Sequence, residues 1–388
     1  MPSDTITLIL SGGHGSRLQP LTRDRAKPAV PFGGKFRIID FTLANCMHSG
    51  LRRILVLTQY KSHSLHKHLR DGWSIFNPEL GEYITAVPPQ MRQSGDWYRG
   101  TADAVLQNRW LLERSSAKHT LILAGDHVYR MDYAAMIEQH SVSGALVTVG
   151  CMEVPIEQAS AFGVMSLDDE NRILAFNEKP ESPTPDPNDP SHALVSMGLY
   201  VFETEKLLEI LDRNAENSDS GHDFGKDVIP GLLETGAAYA YRFGGNQGRV
   251  SADRYWRDVG TIDSYYQANM DLLKAVPPLD LYQPDWPIRT YQGQPAPMRT
   301  VPGARNNEGI FINSMAAGGA IVAGGMVQHS ILGLNVTVGD EAQVTDSILL
   351  GDCSVGDRCV INRAIIDKDV HVPAGQSIGV NLDEDRER

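Results

Sequence analysis

The chain has 388 residues, a hydrophobic fraction of 41% and a formal net charge of −13 at pH 7. A chain of this length is too long for one ordinary hydrophobic core. We therefore expect two domains, or one large α/β domain with an appendage. The acidic balance argues against a general nucleic-acid-binding protein, because such a protein needs a basic face to gain from counterion release.

The four cysteines are not arranged as CxxC pairs, which favours a reducing compartment and gives no zinc site. The N-terminus has no basic region followed by an apolar core, and no apolar run approaches the ~18–20 residues that span a bilayer. We therefore expect a cytoplasmic protein whose partners are small molecules or proteins, with no nucleic acid and no membrane.

The first predicted element is a short aliphatic strand at 8–10 that runs into a glycine-rich turn at 11–15. Glycines let the backbone turn sharply and bring its N–H groups close to a phosphate. Arg17 and Lys27 follow and supply the positive charge that a polyphosphate requires. The turn lacks the lysine-serine ending of a P-loop, and Leu18 replaces the third glycine of a dinucleotide fingerprint. A tight turn with unrelated basic residues therefore remains an alternative.

Strands and helices alternate over the following hundred residues. Apolar runs predict strands at 53–58 and 120–124 and helices at 36–47 and 61–69, and a further helix begins at Thr101, the expected N-cap. This alternation is typical of a mostly parallel sheet with helices on both faces.

The middle section is richer in short strands. They are predicted at 145–149, 163–166, 172–177 and 197–202. A stretch rich in proline at 180–190 predicts an exposed loop. Helices are predicted at 205–213 and 224–234, and a last helix ends near Lys274.

Beyond a proline-rich segment, aliphatic residues recur every 17 positions. One series is Ile321, Val338, Val355 and Val372, and a second, offset by six, is Val327, Val344, Ile361 and Ile378. This spacing is typical of hexapeptide parallel β-helices, in which each coil buries its aliphatic corner against the next. A small β-sandwich with evenly spaced turns is the alternative. The predicted domain bounds are 1–275 for the α/β domain, 276–305 for a linker, 306–380 for the β-helix and 381–388 for an acidic tail.

Two aspartates stand in or after strand-like segments. Asp126 follows the strand at 120–124 and lies beside Gly125, and Asp258 lies in a second such segment. Ligands bind outside the carboxyl ends of parallel strands, so Asp126 and the glycine turn are expected on one rim. Mg²⁺ typically takes one or two carboxylates plus phosphate oxygens, and the pair therefore predicts a Mg²⁺ site. A turn cap or a surface salt bridge explains either aspartate alone.

Two further segments carry candidate ligand contacts. Lys179, beside Glu178 at the end of a predicted strand, has the charge to bind a second, monoester phosphate, with a solvated loop end as the alternative. Trp97 and Tyr98 precede the helix at Thr101, where Tyr98 is suited to pack against a sugar or base. Alternatively, the two rings anchor the loop.

Nucleophilic catalysis is not indicated, because no Ser-His-Asp or Cys-His pair with a local signature is present. His63 and His66 share a helix face that His68 does not, so we expect a polar surface rather than a metal cluster. An ionised phosphate can attack another phosphate directly, and the protein then only aligns the groups and neutralises charge.

The glycine turn resembles the signature of the sugar nucleotidyltransferases. That signature is met by Gly12-Gly13-x-Gly15-Ser16-Arg17-Leu18 and by Arg25-Ala26-Lys27-Pro28. The resemblance is narrowed to the bacterial glucose-1-phosphate adenylyltransferases by Trp97-Tyr98-x-Gly100-Thr101-Ala102-Asp103-Ala104, Ala124-Gly125-Asp126-His127 and Tyr255-Trp256-Arg257-Asp258-Val259-Gly260-Thr261. It runs from residue 6 to about residue 380.

The resemblance implies a fold, an assembly and an activity. The fold is a Rossmann-like mixed-sheet nucleotidyltransferase domain followed by a left-handed parallel β-helix, and the assembly is a homotetramer. The activity makes ADP-glucose for glycogen from ATP and glucose 1-phosphate, and Asp126 and Asp258 would bind Mg²⁺.

The resemblance also implies residue roles. The nucleotide would be held by Gly12, Gly13, Gly15, Ser16, Arg17, Lys27, Gln90, Gly100 and Thr101. Glucose 1-phosphate would be contacted by Tyr98, Gly163, Glu178, Lys179 and Ser196. Gln59 and Trp97 match positions thought to couple ATP binding to catalysis. A small anionic metabolite would bind at an effector site of Arg25, Arg37 and Arg114.

The sequence departs from the family pattern at several positions. Ser11 replaces a usual alanine, and Met91 replaces a common arginine. Asp24 stands where many members carry a basic residue at the activator site, and the tail at 383–385 is acidic where longer members are basic. These last changes leave the identity of the effector open.

Three alternatives to an adenylyltransferase are considered. The first is a related transferase that uses dTTP or UTP. The second is a non-catalytic regulatory subunit, which would be expected to lose the metal carboxylates or the loop charges that this chain retains. The third is an acyltransferase with His329 or His371 as its catalytic histidine.

Overall fold

The computed structural model describes residues 4–90, 97–245, 248–250, 253–291 and 293–387. The chain divides into two compact units. The first unit comprises Met1–His14 and Phe41–Trp256, and the second comprises Gly15–Asp40 and Arg257–Arg388. An N-terminal segment thus belongs to the same unit as the C-terminal part. The predicted domain bounds at 275 and 305 treat each domain as one continuous stretch of chain, and they stay a prediction.

The described strands up to residue 275 are β1 (Thr5–Ser11), β2 (Pro31–Phe32), β3 (Phe36–Arg37), β4 (Arg53–Thr58), β5 (Tyr83–Val87), β6 (His119–Ala124), β7 (His127–Tyr129), β8 (Val147–Pro155), β9 (Gly163–Leu167), β10 (Ile173–Glu178), β11 (His192–Glu203), β12 (Ala238–Arg242) and β13 (Trp256–Asp258). The α-helices there are α1 (Ile38–His48), α2 (His63–Trp73), α3 (Thr101–Leu106), α4 (Arg109–Ser115), α5 (Tyr133–Ser143), α6 (Ile156–Ala159), α7 (Thr204–Glu216), α8 (Ile229–Leu232) and α9 (Ile262–Met270).

A nine-stranded mixed sheet forms the first unit. Its strand order is β10-β9-β11-β6-β1-β4-β5, and β8 pairs with β11 and β12. The strands β6, β1, β4 and β5 are parallel neighbours, whereas β11 runs antiparallel to β6. Buried aliphatic residues of this sheet, such as Ile6, Leu55 and Ile122, join helical residues such as Val105 in one core. The predicted mixed α/β sheet is confirmed.

Two predicted helices begin differently in the structure. Residues 36–37 form β3, so α1 begins at Ile38. Thr101 is the first residue of α3 and not its N-cap, a position that Gly100 takes. The N-cap prediction is wrong because the Thr101 hydroxyl donates instead to Asp223 Oδ2 at 2.9 Å, a partner 122 residues away in the chain.

The segment predicted as one helix at 224–234 contains three short pieces. They are a π-helix at Phe224–Val228, then α8, then a 3₁₀ turn at Leu233–Thr235. The loop predicted at 180–190 is confirmed, since no helix or strand lies there. The predicted linker at 276–305 was expected to hold no folded element, but Arg299–Val301 form a strand.

The C-terminal strands are β14 (Arg299–Val301), β15 (Ile310–Ile312), β16 (Met315–Ala316), β17 (Ile321–Ala323), β18 (Met326–Gln328), β19 (Ile331–Leu332), β20 (Thr337–Val338), β21 (Gln343–Thr345), β22 (Ile348–Leu349), β23 (Ser354–Val355), β24 (Val360–Asn362), β25 (Ile365–Ile366), β26 (His371–Val372) and β27 (Ser377–Ile378), and helix α10 (Leu382–Glu387) follows. They form three parallel sheets, in the orders β14-β17-β20-β23-β26, β15-β18-β21-β24-β27 and β16-β19-β22-β25. The predicted hexapeptide β-helix is confirmed.

The 17-residue register is confirmed for most of the predicted series and wrong at one position. Val338 pairs with Val355, which pairs with Val372. The partner of Val338 in the preceding coil is Val322, not Ile321. That coil is one residue shorter, so Val322 is the fully buried side chain and Ile321 is only partly buried.

One corner of the β-helix repeats a left-handed backbone conformation. Asn335, Asp352 and Asp369 have φ angles of 57°, 60° and 62°. Asn and Asp tolerate this conformation better than other residues with side chains. Asn335 Nδ2 also donates to Asp352 Oδ1 at 2.9 Å, which joins two coils.

The N-terminal segment of the second unit packs against the β-helix. Arg25 Nη2 lies 2.5 Å from Asp367 Oδ2. Gly34 has a φ of 83°, and a Cβ there would lie 3.4 Å from the Leu332 carbonyl oxygen. Tyr266 of α9 donates its hydroxyl to the Asp346 carbonyl at 2.6 Å. Side-chain contacts between distant stretches of chain therefore hold this unit together.

The described ranges contain no helix that combines the length and the apolar composition needed to cross a bilayer.

A buried histidine makes the stability of the first unit depend on pH. His140 of α5 is 3% exposed, and its Nδ1 lies 2.9 Å from Thr148 Oγ1. Its ring also meets that of His119 with 5.5 Å between centroids. Burial, reinforced by the nearby His119 and Lys118, lowers the pKa of His140 to about 4.

We expect the free energy of unfolding to fall as pH drops from about 6.5 to about 4. The folded pKa lies below the unfolded value, so the unfolded state binds more protons in this window, with a slope of at most about 1.4 kcal/mol per pH unit. Urea unfolding from pH 4.5 to 7.5 measures it. His140→Gln should flatten the dependence relative to the parent, whereas the same change at exposed His63 should not; equal slopes in all three proteins would contradict the prediction.

Candidate active site

The glycine turn and Asp126 lie at the same edge of the sheet. The parallel strands β6, β1 and β4 are neighbours and end at Ala124, Ser11 and Thr58. Gly125 N donates to the Leu10 carbonyl at 3.0 Å, so the chain segments that leave β6 and β1 are in contact. The expected common rim is therefore confirmed.

Gln59 packs against the turn. A Cβ at Gly12 would lie 3.2 Å from Gln59 Oε1. The Gln59 amide also donates to the Tyr98 carbonyl at 3.4 Å. Gln59 therefore connects the turn to the loop that carries Tyr98.

Three aromatic rings are stacked beside this turn. The His14 ring lies on Tyr60 with 3.7 Å between centroids, and Tyr60 lies parallel to Trp97 at 5.1 Å. Trp97 is 49% exposed and so presents an accessible face. The sequence did not indicate this stack, because its members are about 40 residues apart and carry no shared spacing.

Tyr98 lies partly in the core of the first unit. Its ring packs against the main hydrophobic cluster, and its hydroxyl is 2.9 Å from Asn108 Nδ2. Burial raises the pKa of Tyr98, while the hydrogen bond from Asn108 lowers it. The phenol is therefore neutral at physiological pH and can take part in hydrogen bonds as both donor and acceptor.

Gly100 and Thr101 connect this loop to the π-helix at Phe224–Val228. Any side chain at Gly100 would meet the His222 carbonyl oxygen at less than van der Waals contact. Thr101 Oγ1 accepts from Phe224 N at 3.0 Å and donates to Asp223. Gly100 therefore permits a close backbone approach.

A second group of predicted residues surrounds Glu178 at the end of β10. Lys179 Nζ lies 2.9 Å from Glu178 Oε1, and this lysine side chain is 62% exposed. A Cβ at Gly163 would lie 2.9 Å from Glu178 Oε2. Val195 pairs with Val164, which places Ser196 beside Gly163. The structure thus brings Gly163, Glu178, Lys179 and Ser196 together.

The π-helix also belongs to this group, although its sequence did not indicate that. A Cβ at Gly225 would lie 2.6 Å from Glu178 Oε2. Asp223 accepts from Gly225 N at 2.9 Å and from Lys226 N at 3.1 Å. π-Helices occur frequently at functional sites. A π-helix has no sequence period, so no local pattern indicated this one.

In the second unit, Lys27 and Asp258 form an ion pair with 2.6 Å between Nζ and Oδ1. The Lys27 side chain is 8% exposed, so the carboxylate compensates a nearly buried charge. A Cβ at Gly260 would lie 3.1 Å from Asp258 Oδ1 and 3.2 Å from Arg17 Nη2. Gly15 has a φ of 61° and begins the 3₁₀ turn that contains Ser16 and Arg17.

The two predicted metal ligands belong to different units. Asp126 is in the first unit, with its carboxylate 3.7 Å from His127 Nε2, and Asp258 is in the second. Both carboxylates are partly exposed, at 33% and 21%. Carboxylate oxygens are donors that Mg²⁺ prefers, so each residue fits the ion. That Asp126 and Asp258 together bind one Mg²⁺ ion stays a prediction.

Gln90 is exposed, and its amide donates to the Pro88 carbonyl at 2.8 Å. The neighbouring Met91 lies outside the described residues. His63 is exposed as expected for a polar surface, but His68 is only 6% exposed, so that expectation is wrong for His68.

Arg25 and Arg37 belong to one unit, and Arg114 belongs to the other. Arg25 is 7% exposed. Burial lowers the pKa of Arg37, and the neighbouring Arg25 charge contributes to the shift. Arg114 lies over the Trp110 ring at 5.9 Å. The structure thus brings two of the three predicted effector cations together, and the role of all three stays a prediction.

Comparison with known families gives two matches. Residues 6–275 match the nucleotidyl transferase family, and residues 296–388 match the GlmU-like C-terminal hexapeptide family.

Several relatives match almost the whole chain. Glucose-1-phosphate adenylyltransferase 2 of Vibrio cholerae is 62% identical over 385 residues, which are 99% of this chain and 95% of the relative. The enzyme of the same name from Pseudoalteromonas atlantica is 52% identical, over 99% of this chain and 91% of the relative. Glucose-1-phosphate adenylyltransferase of Methylococcus capsulatus is 50% identical, over 99% and 90%.

We expect Gly100→Ala to lower the free energy of unfolding by about 1–3 kcal/mol, because the new methyl group must displace the His222 backbone. Gly231→Ala is the matched control. A Cβ at Gly231 meets nothing within 4 Å in α8, so that variant should be neutral or slightly more stable. Urea unfolding followed by circular dichroism compares them. A Gly100→Ala variant as stable as the control would show that the close approach is not required.

Proposed function

This chain belongs to the nucleotidyl transferase family, among its glucose-1-phosphate adenylyltransferases, and from that membership we propose that it transfers the adenylyl group of ATP to α-D-glucose 1-phosphate and releases pyrophosphate. The product is ADP-glucose, the precursor of glycogen. The observation that carries the proposal is the 62% identity across 99% of the chain. It is supported by the retained Arg17, Lys27, Asp126, Lys179 and Asp258.

The reaction needs alignment and charge compensation rather than a protein nucleophile. An ionised phosphate oxygen of glucose 1-phosphate attacks the α-phosphorus of ATP and forms the new P–O bond. The bond to the bridging oxygen of the β-phosphate breaks, and pyrophosphate leaves with the electron pair. Arg17 and Lys27 are proposed to neutralise the charge that develops, Lys27 being held in place by Asp258 at 2.6 Å.

Further nucleotide contacts are proposed along the rim and the Tyr98 loop. The glycines at 12, 13 and 15 offer backbone N–H groups to the phosphates, together with Ser16, and Gly100 and Thr101 do so at the start of α3. The exposed Gln90 is proposed to lie near the adenine, and Gln59 and Trp97 are proposed to couple ATP binding to catalysis.

Glucose 1-phosphate is proposed to bind around Glu178. Lys179 is largely exposed and can move from the Glu178 carboxylate to the phosphate of a ligand. The Glu178 carboxylate accepts hydrogen bonds from sugar hydroxyl groups, with Gly163 leaving room for the ring and Ser196 and Tyr98 adding polar contacts.

Members of this family generally use a divalent metal, and we propose Mg²⁺ held by Asp126 and Asp258. Bound there, the ion would offset the negative charge of the phosphates. The remaining residues of the site position the two substrates.

We expect Asp126→Asn to reduce turnover by about 10²–10³-fold while the protein stays folded, because a charge-compensating carboxylate is lost where phosphates meet. The matched control is Asp169→Asn, a change at an exposed loop carboxylate. Pyrophosphate release with ATP, UTP and dTTP is measured. Unchanged turnover would remove Asp126 from the site, and faster turnover with UTP or dTTP than with ATP would overturn the adenylyl assignment.

We propose that Arg25 and Arg37, with Arg114, bind a phosphorylated or carboxylated metabolite that changes the rate. Clustered guanidinium groups suit such anions. The Arg25–Asp367 ion pair means that an incoming anion competes with an internal carboxylate.

We expect at least one anion to raise the initial rate in a screen of fructose 6-phosphate, fructose 1,6-bisphosphate, pyruvate, phosphoenolpyruvate, AMP and phosphate. Arg25→Gln should weaken that response. A flat response of the parent enzyme to all six compounds would contradict the effector proposal and leave the catalytic one intact.

We further propose a cytoplasmic homotetramer. Ile310 and Ile312 on β15 are 41% and 40% exposed, and such an apolar edge is suited to contact with a second copy of the chain. Light scattering during size-exclusion chromatography measures the assembly.

A further inference from the structure

Asn108 lies directly behind Tyr98 and makes two hydrogen bonds with one amide nitrogen. Its Nδ2 donates to the Ala104 carbonyl at 2.8 Å and to the Tyr98 hydroxyl oxygen at 2.9 Å. Asn108 is 1% exposed and ends the turn between α3 and α4. The residue therefore belongs to the rigid core while its partner Tyr98 belongs to the loop.

The orientation of this amide is fixed by its backbone partner. A carbonyl oxygen can only accept, so the Asn108 side chain must point its NH₂ group toward Ala104. The opposite orientation would place two acceptor oxygens against each other. Among the described residues, Asn108 Oδ1 is buried without a hydrogen-bond partner, which costs roughly 1–3 kcal/mol.

The polarity of the Tyr98 hydroxyl follows from this geometry. One hydrogen of the Asn108 NH₂ group goes to Ala104, and the other goes to the phenol oxygen, which accepts it. The hydrogen of the Tyr98 hydroxyl is then directed elsewhere and is free to be donated. A phosphate oxygen or a sugar oxygen is an acceptor for such a donor.

We propose that Asn108 is a positioning residue for the nucleotidyl transfer, which fixes the Tyr98 hydroxyl as a hydrogen-bond donor to an oxygen of the bound sugar phosphate. The inference rests on the proposed assignment of Tyr98 to glucose 1-phosphate. Asn108 itself touches no substrate and acts only through Tyr98. Its loss therefore affects the binding of one substrate and spares the other.

A double-mutant cycle of Asn108→Ser and Tyr98→Phe tests the proposal. Serine is chosen because its hydroxyl can still bond the carbonyl four residues back and so keeps the helix turn satisfied. We expect each single variant to raise the KM for glucose 1-phosphate about tenfold, with the KM for ATP changed less than twofold. In the Tyr98→Phe background, Asn108→Ser should have little further effect, because the hydroxyl on which it acts is absent.

Thr120→Val is the control for a loss of stability alone. It removes a buried hydrogen bond of 2.9 Å to Thr204, away from Tyr98, and should leave both KM values unchanged. Additive effects of the two substitutions, or equal rises of both KM values, would overturn the role of Asn108. An unchanged KM in Tyr98→Phe would instead overturn the assignment of Tyr98, and activity with both substrates would still support the proposed reaction.

Discussion

The ion pair between Lys27 and Asp258 is the constraint on which the candidate residues of the second unit depend. These residues are 231 positions apart, and their side-chain atoms approach to 2.6 Å. Lysine so close to fully buried is rarely found without a partner. The pair therefore fixes the segment of Gly15 and Arg17 beside the end of β13. Lys27 is thus at once a partner in a structural ion pair and the cation that we propose for a phosphate.

In the first unit, close approaches at glycines help to position the candidate groups. Glycines at 12, 100, 163 and 225 lie where a side chain would meet a neighbouring residue. Each marks a close approach between segments that are distant in the sequence. These contacts hold the Tyr98 loop, the end of β10 and the π-helix near one another. The candidate site in this unit combines these close contacts with exposed end groups such as Lys179.

Regular periodicity made much of the fold predictable. The strand at 53–58 was predicted with its observed bounds, because aliphatic runs between polar turns report burial directly. The 17-residue repeat predicted the β-helix but misplaced Ile321, since a period counted along the sequence does not detect one shorter coil. The candidate site was harder to predict from the sequence than the fold. Thr101 bonds Asp223, a partner 122 residues away that a local pattern does not contain. Asp223 was overlooked because a π-helix has no sequence period.

The path of the chain limits how its parts can be exchanged. The polypeptide passes between the two units at residues 14–15, 40–41 and 256–257. The segment Gly15–Asp40 is inserted early in the sequence, yet it contacts Asp367 through Arg25 and lies against Leu332 at Gly34. A single crossover near residue 275 between two related genes would therefore join a β-helix from one parent to an N-terminal segment from the other. The hexapeptide repeats can be exchanged between related enzymes as a module only if the segment Gly15–Asp40 comes from the same parent as the repeats.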